Sequence, residues 1–60
     1  MDEITLKNIK ESIKRSEEQL KIMRIDIDKA KRAGIDVTEH DKRYNDLLNK
    51  TSLLKTVYSS

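Results

Sequence analysis

Cysteine, proline, phenylalanine and tryptophan are absent from this 60-residue chain, and glycine occurs once. Without cysteine the chain forms no disulfide, and it offers no thiolate to a structural zinc ion. Its apolar runs are far shorter than the roughly 20 residues of a transmembrane helix, and no secretory signal is recognisable. We therefore expect a cytoplasmic protein that has no membrane among its partners.

Charged residues are abundant, but their signs nearly cancel. Lysine and arginine number 13 against 11 aspartate and glutamate residues, which leaves a net charge of +2 at pH 7. So small an excess does not by itself indicate nucleic acid or membrane as a partner. A chain of 60 residues forms one domain and buries only about 60% of its unfolded surface, so it is marginally stable unless something else contributes.

Gly34 is the only strong helix breaker, and it separates two segments whose apolar residues recur at alternating steps of three and four. This spacing keeps side chains on one face of an α-helix. We predict an all-α fold, a coiled-coil-like antiparallel hairpin in a single domain 1–60, with helix 1 about 3–33, a turn at 34–37 and helix 2 about 38–58. Alternation over 23–28 favours a strand, but six residues inside a sustained heptad do not outweigh it.

The predicted helix ends carry residues that helix ends favour. Acidic residues open the first helix and a basic cluster closes it, so both complement the helix dipole. Gly34 is expected to adopt a left-handed conformation, with Ile35 folding back onto Ala30 in a Schellman-type stop. The second helix is capped by Asp36 or by Thr38, since both offer an oxygen to free N–H groups, and Thr38 is the preferred candidate.

The two predicted helices differ in length, at about 45 Å and 30 Å for a rise of 1.5 Å per residue. Folding the hairpin brings Ile13 near Tyr58, which leaves Leu6 and Ile9 without an intramolecular partner. The other expected neighbours are Leu20 with Thr51, Met23 with Leu47 and Leu48, and Ile27 with Tyr44. Burying one such apolar side chain is worth about 1.5 to 3 kcal/mol, so the uncovered residues favour association.

Self-association into a four-helix bundle is the simplest way to cover this surface, because two-fold homo-oligomers are the commonest assemblies. A helix from another protein would serve equally well. Two more apolar residues lie on the outer side of the first helix, away from its hairpin partner. The predicted protein interface therefore comprises Leu6, Ile9, Ile13, Leu20, Met23, Ile27, Ile22 and Ile25.

Two hydroxyl residues, Ser16 and Thr51, interrupt the apolar seam. Each hydroxyl is expected to bond the carbonyl oxygen four residues back, which satisfies it inside the core. We interpret both as local weak points or as places where the helices approach closely, with a role in setting the register as the alternative.

The residues offer little for catalysis or metal binding. His40 is the only histidine, and its acidic neighbours are expected to cap a helix rather than hold a metal ion. Asp26 and Asp28 face different ways on a helix, so they cannot share a ligand. We expect no enzyme, no cofactor, no metal and no small-molecule substrate, because two helices form little concavity and no nucleophile has a companion base.

Basic residues are concentrated on one flank of the first helix, at Lys7, Lys10, Lys14, Lys21, Arg24 and Lys31. Such a stripe is typical of surfaces that contact a phosphate backbone. It is also ordinary on a solvated helix, and nearby Glu11, Glu17 and Glu18 indicate intramolecular pairing with Lys10 and Lys14.

The sequence thus predicts a non-enzymatic protein–protein interaction module, a small regulatory protein acting as an adaptor, inhibitor or assembly subunit. Its partner is expected to be itself, as a dimer or higher homo-oligomer, or another helical protein. The alternative is a small nucleic-acid-binding regulator that uses the basic flank of helix 1.

Overall fold

The computed structural model describes residues 2–58, which form two α-helices joined by a short turn. Helix α1 spans Glu3–Arg32 and helix α2 spans Thr38–Tyr58. Within this range there is no strand, and residues 23–28 are helical. The prediction of an all-helical chain with two helices is therefore confirmed for residues 2–58, which fold back at the turn into a rod of 48 × 15 × 15 Å.

Helix α1 begins and ends as its sequence predicts. The Asp2 carboxylate accepts the backbone N–H of Thr5 at 2.7 Å, which satisfies one of the free donors of the first turn. Glu3 adds negative charge at this end, and Lys29, Lys31 and Arg32 add positive charge in the last turn. Both clusters complement the helix dipole.

The turn after α1 is a Schellman motif, as predicted. Gly34 has a φ of +79°, the Ile35 N–H donates to the Ala30 carbonyl at 2.9 Å, and the Gly34 N–H donates to the Lys31 carbonyl at 3.0 Å. A methyl group added at Gly34 would meet nothing within 4 Å, so glycine is required for its backbone conformation and not for space.

The side chain of Asp36, one residue before the N-cap position Val37, caps the first N–H of helix α2, and the preference for Thr38 is wrong. One carboxylate oxygen of Asp36 accepts the Thr38 N–H at 3.0 Å and the Thr38 hydroxyl at 2.7 Å. Thr38 is already the first helical residue, because the preceding Val37 carbonyl accepts the Asp41 N–H at 2.8 Å. The Thr38 hydroxyl therefore donates to the cap, and does not act as the cap.

The core is one row of side chains between the two helices. Ile13, Leu20 and Ile27 recur every seven residues on α1 and are only 4%, 8% and 3% exposed. Val37 and Thr51 are the buried residues on the other side of this row. A single layer of this kind leaves every helix flank at the surface, which is where the candidate site must lie.

Two ion pairs show the register of the hairpin. Glu17 lies opposite Lys55 and Lys31 lies opposite Asp41, and the two pairs are two heptads apart on each helix, in opposite directions. This register agrees with the predicted neighbours along the seam. It also places Tyr58, the last described residue of α2, level with the fourth turn of α1, so α1 continues beyond it.

Residues 3–12 form this N-terminal extension, about 15 Å long at 1.5 Å per residue. Leu6 and Ile9 are half-buried, and every other residue of the extension is exposed. Ile13, one turn further along the same row, is buried. The covered part of α1 therefore ends abruptly between Ile9 and Ile13.

Candidate functional site

One long side of the hairpin is closed by polar contacts, and we call it the ion-paired side. Its three contacts are Glu17 with Lys55 at 3.2 Å, Lys31 with Asp41 at 3.7 Å, and the Arg24 guanidinium over the Tyr44 ring, 5.8 Å from the ring centre. The α1 members are seven residues apart, so they stand in one row. Solvent-exposed pairs of this kind contribute about 0 to 1 kcal/mol each, so they orient the helices more than they stabilise them.

The opposite long side carries apolar residues, and we call it the open side. Met23 and Ala30 flank the seam here on α1, and Leu47 and Leu54 hold the same positions around Thr51 on α2. Within residues 2–58 no ion pair joins the helices on this side. Met23, Ala30 and Leu47 are half-buried, and Leu54 is 38% exposed.

The open side deepens into a groove of about 460 Å³ next to the turn, which we call the turn groove. Its lining residues are Met23, Asp26, Ile27, Ala30, Ile35, Val37 and His40. Ala30 contributes only a methyl group, so it does not fill the space beside the seam. Ile35 is exposed over 58% of its surface although it lies in this apolar setting. The groove is thus a concave apolar surface with two polar residues at its rim.

At the other end of the rod, the N-terminal extension carries a second shallow apolar surface. Leu6 lies there among charged residues of the same helix, namely Glu3, Lys7, Lys10, Glu11 and Lys14. No residue of α2 lines this surface, in agreement with the register of the hairpin. The two incompletely covered apolar regions therefore lie at opposite ends of a 48 Å rod.

The predicted interface residues separate into three groups. Ile13, Leu20 and Ile27 are buried between α1 and α2, so in the closed hairpin they offer almost no surface to another molecule. Ile22 and Ile25 are 60% and 55% exposed on the outer surface of α1. Leu6, Ile9 and Met23 are half-buried at the edge of the seam. Which of them contact a partner stays a prediction.

The six basic residues of the predicted nucleic-acid surface are all exposed, but two are engaged. Arg24 contacts Tyr44 and lies 3.7 Å from Asp28, and Lys31 pairs with Asp41. No ion pair within the described range involves Lys7, Lys10, Lys14 or Lys21. The expected pairing of Lys10 and Lys14 with Glu11, Glu17 and Glu18 is not found there, and Glu17 reaches Lys55 on α2 instead.

Two of the acidic residues around His40 make contacts within the hairpin. Asp36 caps α2, and its hydrogen bonds from the hydroxyl and the N–H of Thr38 lower the pKa of its carboxyl group below the ordinary aspartate value. Asp41 is held by Lys31, and His40 lines the turn groove. In the part of the chain described by the structure, no group of three or more histidine or acidic side chains is placed to hold a metal ion.

Thr51 differs from its prediction. Its hydroxyl is buried and has no hydrogen-bond partner within residues 2–58, whereas a bond to the carbonyl four residues back was expected. Thr56, an exposed neighbour on the same helix, does make that bond, to the Ser52 carbonyl at 2.9 Å. An unpartnered buried hydroxyl costs about 1 to 3 kcal/mol, so the Thr51 layer is a weak point of the seam.

The predicted interface lies on α1 alone, whereas the open side and the turn groove also include residues of α2 and of the turn. The residues outside the predicted interface are Ala30, Ile35, Val37, His40, Leu47 and Leu54. Their apolar periodicity is visible in the sequence, but which flank the ion pairs close becomes clear only when both helices are in place.

Neither described helix is both long enough and apolar enough to cross a membrane. The chain matches no protein-family model, and no curated protein and no solved structure matches it either. The candidate site therefore rests on the geometry of the open side, the turn groove and the N-terminal extension.

Proposed function

We propose that this protein is a non-enzymatic protein–protein interaction module, a helical hairpin that associates with a second copy or with another helical protein. Adaptor, inhibitor and assembly subunit are the roles that suit a module of this size. Association of two hairpins would give a four-helix bundle, in which each open side becomes part of a common core.

One observation supports this proposal above the others: polar contacts cover one flank of the apolar seam, and apolar side chains remain uncovered on the other. The ion-paired side carries three contacts between the helices, whereas the open side presents half-buried Met23 and Leu47 and the exposed Leu54. Fully burying such a side chain is worth about 1.5 to 3 kcal/mol, so a partner helix along this side would gain several favourable contacts.

The proposal is tested by the concentration dependence of assembly. Sedimentation should report a multiple of the 7.0 kDa chain mass, and the melting temperature should rise with protein concentration. Leu54→Asp should reduce both effects, because it places a charge on the open side. Asn49→Asp is the matched control, since Asn49 is exposed and lies on the outer surface of α2.

If the partner is a different protein, the wild-type chain will remain monomeric, and the same pair of variants then applies to a purified native complex. Leu54→Asp should release the partner and Asn49→Asp should retain it. If the two variants behaved alike both in self-association and in the native complex, the proposal that the open side binds a partner would be refuted.

Nucleic-acid binding is the second candidate, and one feature favours it. Lys7, Lys10, Lys14 and Lys21 lie on the flank of α1 away from the open side, so the same chain could use both surfaces. Replacing Lys7, Lys14 and Lys21 by glutamine should weaken binding, and affinity should fall steeply with salt as counterions are released. Absent or salt-insensitive binding of a mixed RNA and DNA pool would remove this candidate.

A further inference from the structure

We propose that two copies of this chain pair side by side and antiparallel, about a two-fold axis across the rods, so that the N-terminal extension of each copy lies against the turn groove of the other. The inference rests on the proposed function and specifies its partner, its face and its orientation. Three observations support it: the amount of surface, the distribution of charge and the positions of the two uncovered regions.

The first observation is the size of the exposed surface. The chain exposes 5025 Å², whereas a compact folded monomer of 7.0 kDa is expected to expose about 4,000 Å². The excess of about 1,000 Å² is close to the roughly 800 Å² that each partner buries in a stable protein–protein interface. A second copy therefore removes about as much surface as the hairpin has left uncovered.

The second observation is the charge on the two long sides. The flank of α1 with the ion-paired side is mainly basic, with Lys7, Lys10, Lys14 and Lys21 beside Glu17 and Asp28, so a second copy meeting there would crowd many charged groups together. The open side is bordered by Asp26 on α1 and by Lys50 on α2, which are opposite in sign. The open side carries fewer charged residues than that flank, so a second copy meets less like charge there, and this selects the face.

The third observation selects the orientation. The extension, with Leu6 and Ile9, and the turn groove lie at opposite ends of the rod. Parallel pairing would place extension beside extension and groove beside groove. Antiparallel pairing brings each extension to a groove, and the two-fold axis forms the same contact twice, as isologous interfaces require. Both uncovered regions are then covered in one assembly.

This arrangement has a definite register. The middle of the rod lies near Gln19 on α1, so an axis there brings position 12 of one copy level with position 26 of the other. Ser12 and Asp26 are both exposed and lie on the flank of α1 next to the open side. On the opposite flank, positions 10 and 28 are at matching levels.

Disulfide trapping tests this register directly, because the natural chain has no cysteine. The Ser12→Cys variant is mixed with the Asp26→Cys variant under mild oxidation. Antiparallel pairing predicts mainly the mixed disulfide, because the two positions meet across the axis. Lys10→Cys mixed with Asp28→Cys is the matched control at the same levels on the other flank, and it should give little cross-linking.

Two further variants measure the contact itself by sedimentation. Ile9→Asp should raise the dimer dissociation constant roughly 100-fold, because the new carboxylate loses its hydration when the extension lies against the turn groove of the other copy. His40→Leu should lower that constant about tenfold, because it makes the rim of the turn groove apolar. Circular dichroism checks that each variant keeps its helices.

The outcomes separate this inference from the proposed function. Mixed disulfides together with the two opposite shifts support the antiparallel pair. Homodisulfides of Ser12→Cys in a dimer would overturn the orientation and leave self-association standing. A chain that stays monomeric at every concentration would show that a second copy is not the partner. The proposed function would then require association with another protein.

Discussion

Helix α1 contains two regions that share one apolar pattern and differ in what lies beside them. In the paired part, Ile13, Leu20 and Ile27 are almost completely buried by α2. In the N-terminal extension, Leu6 and Ile9 continue the same spacing and stay half-buried. The comparison teaches that the pattern determines which residues face the seam, whereas the length of the partner helix determines which of them are covered.

The largest difference between the two regions should appear on truncation of one core residue in each. Ile27→Ala should lower the free energy of unfolding by about 2 to 4 kcal/mol, since it leaves a cavity where the wild-type side chain is 3% exposed. Ile9→Ala should lower it by less than about 1 kcal/mol in the monomer, because Ile9 is only half-buried there. Urea unfolding followed by circular dichroism at low protein concentration measures both.

Raising the protein concentration sharpens this comparison. If a second copy covers the extension, the loss of stability caused by Ile9→Ala grows with protein concentration. The loss caused by Ile27→Ala remains the larger of the two at every concentration. Equal effects at low concentration would show that the extension is buried within a single chain, contrary to the register of the hairpin.

Much of this fold follows from local rules that the sequence displays. The position of the turn followed from Gly34, the only residue suited to a left-handed backbone at the end of a long helix. The register followed from folding the two apolar seams together about this turn, which brings Ile27 near Tyr44 and Ile13 near Tyr58. Both features depend on interactions within a few residues or on a repeat sustained over many.

Features that depend on a choice between near-equal neighbours were harder to predict. Asp36 and Thr38 both suit a cap, but the hydroxyl of Thr38 donates to Asp36 and so does not cap the helix itself. Glu17 had lysines available on its own helix, yet it pairs with Lys55 of α2. The open side follows from these choices of charged partner, and periodicity alone does not determine them.

The paired part also contains a weak layer, and a substitution there should stabilise it. Thr51→Val removes a buried hydroxyl that has no partner within the described residues and keeps the shape of the side chain. The free energy of unfolding should rise by about 1 kcal/mol, and the thermal midpoint should rise with it. Thr56→Val is the control, because its hydroxyl is exposed and already bonded.

A loss of stability in Thr51→Val would contradict this expectation. It would indicate that the hydroxyl finds a partner in the assembled protein, and sedimentation of the variant would then show a weakened assembly. The seam would in that case have the register-setting role that was the alternative for Thr51.

The smallest effects concern the two helix caps, one in each region. Hydrogen bonds from Thr5 lower the pKa of Asp2 in the extension, and hydrogen bonds from Thr38 lower the pKa of Asp36 at the turn. Each folded pKa lies below the unfolded value, about 3.9 for aspartate. The stabilisation is therefore complete above that value and is lost as the pH falls through the folded pKa.

Asparagine separates the charge from the capping bond, since it caps helices well and does not titrate in this range. Asp36→Asn should leave stability at pH 7 nearly unchanged and reduce its loss as the pH falls below the unfolded aspartate pKa of about 3.9, as measured by the urea midpoint. Asp2→Asn should leave that midpoint unchanged and alter only the helix content at low pH, because the extension frays without opening the paired part. If Asp2→Asn moved the global midpoint as much as Asp36→Asn, the extension would be coupled to the core, and the division of α1 into two regions would fail.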